Sequence, residues 1–64
     1  MPITNLKVKL IGEDGNAFYI LGKVRATLQQ NGYDQDFIET FTKKATSGDY
    51  THLLATVMDY VEVL

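Results

Sequence analysis

Ser47, Asp49 and His52 fall within six residues of one another. They are the residue types of a nucleophile relay, in which a histidine takes a hydroxyl proton and a carboxylate orients the histidine. The compression of the three argues against that use. Asp49 sits where a helix N-cap is expected, and a capping carboxylate is occupied by backbone amides. A chain of 64 residues also leaves little room for a water-excluding pocket with an oxyanion hole. His52, early in the helix that Asp49 would start, is expected to touch Asp49 or to reach solvent.

Glu13, Asp14 and Asn16 form a second cluster, and clustered oxygens are the ligands of calcium or magnesium. A calcium loop of the helix-loop-helix kind needs further acidic ligands and a bidentate glutamate downstream. Positions 17 to 25 supply neither. The expectation is therefore a turn followed by a helix cap. A single histidine and no cysteine leave no set for a structural metal. No catalytic residue, metal site or cofactor is assigned, and the chain is expected not to be an enzyme.

The six basic residues form three pairs: Lys7 with Lys9, Lys23 with Arg25, and Lys43 with Lys44. Phosphate neutralisation supplies much of nucleic-acid affinity, so convergence of all six on one face would make a nucleic-acid accessory protein. A net charge of −2 argues against it. Lys7 and Lys9 on a strand read better as protection of an edge against unwanted pairing. Four tyrosines complete the inventory. Tyr50 belongs to an apolar stripe and is expected in the core. Tyr19 lies off its stripe, in line with Lys23, and Tyr33 follows that helix in a loop. Tyr60 is expected to face outward beside Ile11 and Leu64. Tyrosine is enriched at the centres of protein interfaces.

The elements that position these residues can be read from periodicity. Residues 4 to 11 alternate, with Leu6, Val8 and Leu10 on one side and Lys7, Lys9 and Ile11 on the other, which predicts a half-buried strand. Asp14-Gly15 is a turn signal, since glycine takes positive φ at no steric cost. Asn16 then caps a first helix carrying Ala17, Ile20, Leu21, Val24 and Leu28, a stripe that Phe18 widens. Gly22 inside it costs ~1 kcal/mol against alanine and suggests close approach of another backbone. Asn31-Gly32 ends the helix.

Asp34 caps a second helix, with Phe37, Ile38, Phe41 and Ala45 inward and an expected Glu39–Lys43 pair. Ser47-Gly48 stops it. Asp49 caps a third, in which Tyr50, Leu53, Leu54, Val57, Met58 and Val61 follow the helical period to about Asp59. The β-branched tail, Tyr60 to Leu64, reads as a short strand, whose backbone must pair with residues 4 to 11. Glu62 then comes near Lys7 or Lys9. The predicted fold is α+β, ordered β-α-α-α-β, a single domain over 1–64 with three helices on one face of a two-stranded sheet. Passage up and down through three helices favours parallel strands, while base rates favour antiparallel pairs.

Composition agrees with a small folded domain. Apolar content of 45% and charged content of 22% are ordinary for a globular chain. A chain this short buries only ~60% of its unfolded surface, and without disulfides or metals such domains often gain stability by association. No run of about 18 apolar residues is present, so no membrane span is expected. The N-terminal segment lacks a signal-peptide core, and the absence of cysteine suits a reducing cytosol.

Two blocks carry a resemblance. One is Ile11-Gly12-Glu13-Asp14-Gly15-Asn16-Ala17-Phe18 with Ile20-Leu21-Gly22. The other is Ala45-Thr46-Ser47-Gly48-Asp49-Tyr50 with His52-Leu53-Leu54 and Thr56-Val57-Met58. Together they resemble a family of small bacterial and phage-associated proteins without an established activity. The resemblance implies a free-standing cytosolic protein of a bacterium or mobile element, and it transfers no catalytic residue. The expected function is a non-enzymatic interaction module, an adaptor or modulator. Its expected partner is another protein, with a homodimer as a further possibility. Its candidate surface comprises Lys7, Lys9, Ile11, Tyr60, Glu62 and Leu64 on the open sheet face, with Tyr19 and Lys23 on the first helix.

Overall fold

The computed structural model describes residues 2–10 and 15–64. Five elements follow in order: β1 (Lys7–Val8), α1 (Ala17–Gln30), α2 (Gln35–Ala45), α3 (Tyr50–Tyr60) and β2 (Glu62–Val63). The strands pair in parallel, Lys7 opposite Glu62 and Val8 opposite Val63. Alternation through three helices reverses the chain four times, an even number, so both strands run the same way. The β-α-α-α-β α+β layout is the one expected.

Each helix starts on the residue that sequence marks as its cap. Asn16 Oδ1 accepts from the Tyr19 amide at 3.0 Å, Asp34 Oδ1 from Phe37 at 2.9 Å and Asp49 Oδ1 from His52 at 2.9 Å. These bonds satisfy amides that the helix itself leaves unpaired. α1 ends in a Schellman arrangement. Gly32 at φ +88° donates to the Gln29 carbonyl, and Tyr33 donates to that of Leu28.

α3 ends differently, and the N-terminal segment ahead of β1 does the work. The amides of Ile3 and Thr4 donate to the carbonyls of Asp59 and Tyr60 at 2.8 and 3.0 Å. The Thr4 hydroxyl adds a third bond, to the Tyr60 carbonyl at 2.6 Å. Thr4 is accordingly buried.

The core joins the inward side of the sheet to all three helices. Val8 and Leu10 share one buried cluster with Ile20, Val24 and Leu28 of α1, Ile38, Phe41 and Ala45 of α2, and Leu53, Val57 and Tyr60 of α3. An aromatic run ties α2 to α3, with Phe41 and Phe37 centroids 5.0 and 5.6 Å from that of Tyr60 and Tyr33 stacked on Phe37 at 4.7 Å. Edge-on contacts of this kind add to the area they bury.

Five expectations need correction. Tyr60 does not face outward beside Leu64. α3 continues one residue past Asp59, so Tyr60 takes the helical phase of Leu53 and Val57 and is 4% exposed. Gly22 meets no close backbone, and a Cβ placed there has nothing within 4 Å. Phe18, expected to widen the buried stripe, is 89% exposed. Met58 is 62% exposed, because α3 has a wider apolar arc than its neighbours cover. Glu39 accepts from Gln35 Nε2 at 2.9 Å, and no ion pair with Lys43 is formed.

Candidate functional site

Ser47 and His52 do come together, in the turn joining α2 to α3. His52 Nε2 is 3.0 Å from Ser47 Oγ and 2.7 Å from the Lys44 carbonyl oxygen. A carbonyl can only accept, so Nε2 carries the proton. The Ser47 hydroxyl itself donates to the same carbonyl at 2.8 Å. A protonated Nε2 cannot take a proton from Ser47, and Asp49 is bound to the His52 amide rather than to its ring. In this arrangement the cluster closes the C-terminus of α2, whose last carbonyls lack helical partners. Gly48 permits it: a Cβ there would lie 2.9 Å from both Cβ and Cγ of His52.

Ile11, Glu13 and Asp14, with the candidate cation loop, lie outside the described residues. Of that loop's flank, Gly15 has φ +96°, as a turn glycine should, and its amide donates to the Tyr50 hydroxyl. Tyr50 is half-buried rather than fully enclosed. Among the described residues no group of three or more His, Asp or Glu side chains is placed to hold a metal.

Lys7, Lys9 and Glu62 are exposed on the strand segments, as is Leu64 just past β2. Lys7 Nζ lies 3.9 Å from Glu62 Oε2, directly across the ladder, as the strand alternation implies. On α1, Lys23 Nζ stands 5.8 Å from the centroid of the Tyr19 ring, which is 39% exposed. Of the other basic residues, Lys44 lies 6.0 Å from the Tyr60 ring centroid.

Sequence reasoning missed an apolar concavity. Leu54 and Met58 of α3, Val63 and Leu64 at β2, and Leu10 and Ile20 beneath them line a groove of about 300 Å³. Leu54 and Met58 are four apart on one helix and leave the buried arc together. That separation into two arcs, Leu53–Val57–Tyr60 and Leu54–Met58, was the available signal. A second groove of about 250 Å³ lies between α1 and the α2–α3 turn, lined by Ala17, Phe18, Leu21, Tyr50 and Leu53, with Asp49 at its polar end.

No described helix is long and apolar enough to cross a membrane. No family model, curated protein or solved structure matches the chain.

Proposed function

We propose that this protein is a small non-enzymatic interaction module, an adaptor or modulator that binds another protein in the cytosol of a bacterium or mobile element. The observation that supports this reading is the clustering of exposed apolar side chains. Met58, Val63 and Leu64 stand around one groove beside the sheet, while the exposed Ile3, Phe18 and Tyr19 do not line it. Single exposed apolar residues need no explanation, but a contiguous set marks a contact surface. The charged outer strand positions, Lys7, Lys9 and Glu62, would give that surface a polar rim. The cytosolic and bacterial assignment rests on the two sequence blocks and on the lack of cysteine.

The test is capture of crosslinked partners from extract with the tagged chain, beside Met58→Glu and Leu64→Glu variants. The expected result is a protein retained by the unaltered chain and lost from both variants. Recovery of no protein would overturn the proposal. A DNA or RNA gel shift that weakens with salt would instead support the nucleic-acid reading through the three basic pairs.

A further inference from the structure

We propose that Asn31 is a modification site, converted without an enzyme to aspartate and isoaspartate by attack of the Gly32 amide nitrogen, at a rate set by opening of the last turn of α1.

The first ground is the dipeptide. The chain has three asparagines, Asn5, Asn16 and Asn31, and only Asn31 is followed by glycine. Glycine has no side chain to shield its nitrogen, and its backbone turns more freely than that of any other residue. Asn31 and Gly32 are both exposed, so water reaches them. The Gly32 nitrogen, having lost its proton to hydroxide, attacks Cγ of Asn31. An N–Cγ bond forms, the Cγ–Nδ2 bond breaks, and Nδ2 leaves as ammonia with a proton taken from water. Water then opens the cyclic imide. Cleavage at Cγ gives aspartate, and cleavage at the Asn31 backbone carbonyl gives isoaspartate. The net exchange is amide and water for acid and ammonia.

The second ground is how the fold withholds the reaction. Closing the five-membered ring requires Cβ of Asn31 and the nitrogen of Gly32 to eclipse about the Cα–C bond. Asn31 has ψ 17°, which keeps these two atoms far from eclipsed. Three hydrogen bonds hold that geometry. Gly32 donates to the Gln29 carbonyl at 3.2 Å, Tyr33 to that of Leu28 at 3.1 Å, and Asn31 Nδ2 to that of Thr27 at 2.8 Å. Tyr33 is then pinned by its stack on Phe37. Helix ends open at far lower free energy than the whole fold, so the reaction waits on a local event.

The product undoes the cap that delayed it. A carboxylate at position 31 has no proton to give the Thr27 carbonyl. It places negative charge at the C-terminus of α1, which the helix dipole disfavours, and the last turn of α1 has no basic residue to offset it. Isoaspartate also adds a methylene to the main chain, displacing Gly32 from φ +88° and Tyr33 from Phe37. The junction of α1 with α2 therefore loosens irreversibly as the chain ages.

Incubation of the full chain in mildly alkaline buffer tests this, with the same chain unfolded in guanidinium chloride as the reference. Mass spectrometry of proteolytic fragments reads each asparagine, and chromatography separates the two acid products. The expected result is conversion at Asn31 with Asn5 and Asn16 intact. The folded chain should react about tenfold or more slowly than the unfolded one, an opening cost of ~1.4 kcal/mol or more. Tyr33→Ala removes the stack and leaves the dipeptide unchanged. It should speed the folded chain about two- to tenfold and leave the unfolded rate as it was. Asn31→Asp, a stand-in for one product, should melt at least ~2 °C lower. Asn31 intact in the folded chain after the unfolded chain has fully reacted overturns the proposal, as does faster conversion at Asn5 or Asn16. Equal rates folded and unfolded, or no response to Tyr33→Ala, overturn the gating by α1. An unchanged melting temperature for Asn31→Asp overturns the loosening.

Discussion

His52 Nε2 meets the Lys44 carbonyl at 2.7 Å, so the imidazole closes the end of the preceding helix. The bond spans eight residues and ties the first turn of α3 to the end of α2 across a four-residue turn, 46 to 49. Gly48 leaves room for the ring's base. Gly48→Ala would press a methyl group against Cβ and Cγ of His52, and the Cβ is fixed by the helix backbone and cannot swing away. The expected cost is ~1–2 kcal/mol by urea denaturation. Part of that cost should vanish in the His52→Ala background, because the two changes act on one contact.

Thr4 ties the N-terminal segment to the end of α3. Thr4→Val keeps the shape and removes the hydroxyl. It deletes the bond to the Tyr60 carbonyl and the one that the hydroxyl oxygen accepts from the Leu6 amide at 3.2 Å. The expected loss is ~1–2 kcal/mol, read from the denaturation midpoint, because Thr4 is buried and Leu6 half-buried.

Gly22 offers a stabilising change. It is helical and exposed, with empty space where a Cβ would stand. Gly22→Ala should raise stability by ~0.5–1 kcal/mol, seen as a higher melting temperature. A loss of stability would mean that the helix has a close neighbour at that point after all.

Phe41 is wholly buried at the meeting of α2 with Tyr60. Phe41→Ala should cost ~3–5 kcal/mol, comparable to all the stability a single core of this size supplies. Loss of the cooperative thermal transition is the expected readout.

The exposed Lys7–Glu62 pair should contribute little. Glu62→Gln is expected to move stability by less than ~0.5 kcal/mol, with almost no response to added salt.

Sequence by itself determined the element order and the starts of all three helices. Asn16, Asp34 and Asp49 bond amides three residues on, and the apolar periods of α1 and α2 close within a turn or two. Such interactions are local, so residue type and spacing are enough to specify them. The charged side of β1 was legible for the same reason, through strict alternation. Tertiary structure alone decided the rest. Whether Met58 and Phe18 are covered depends on where distant segments lie, and Tyr60 changed sides because α3 ran one residue further than its β-branched tail suggested. Thr4 reaches a carbonyl 56 positions away, and the His52 ring finds a carbonyl rather than a neighbouring carboxylate. These partners are set by the path of the folded chain, which no local pattern encodes.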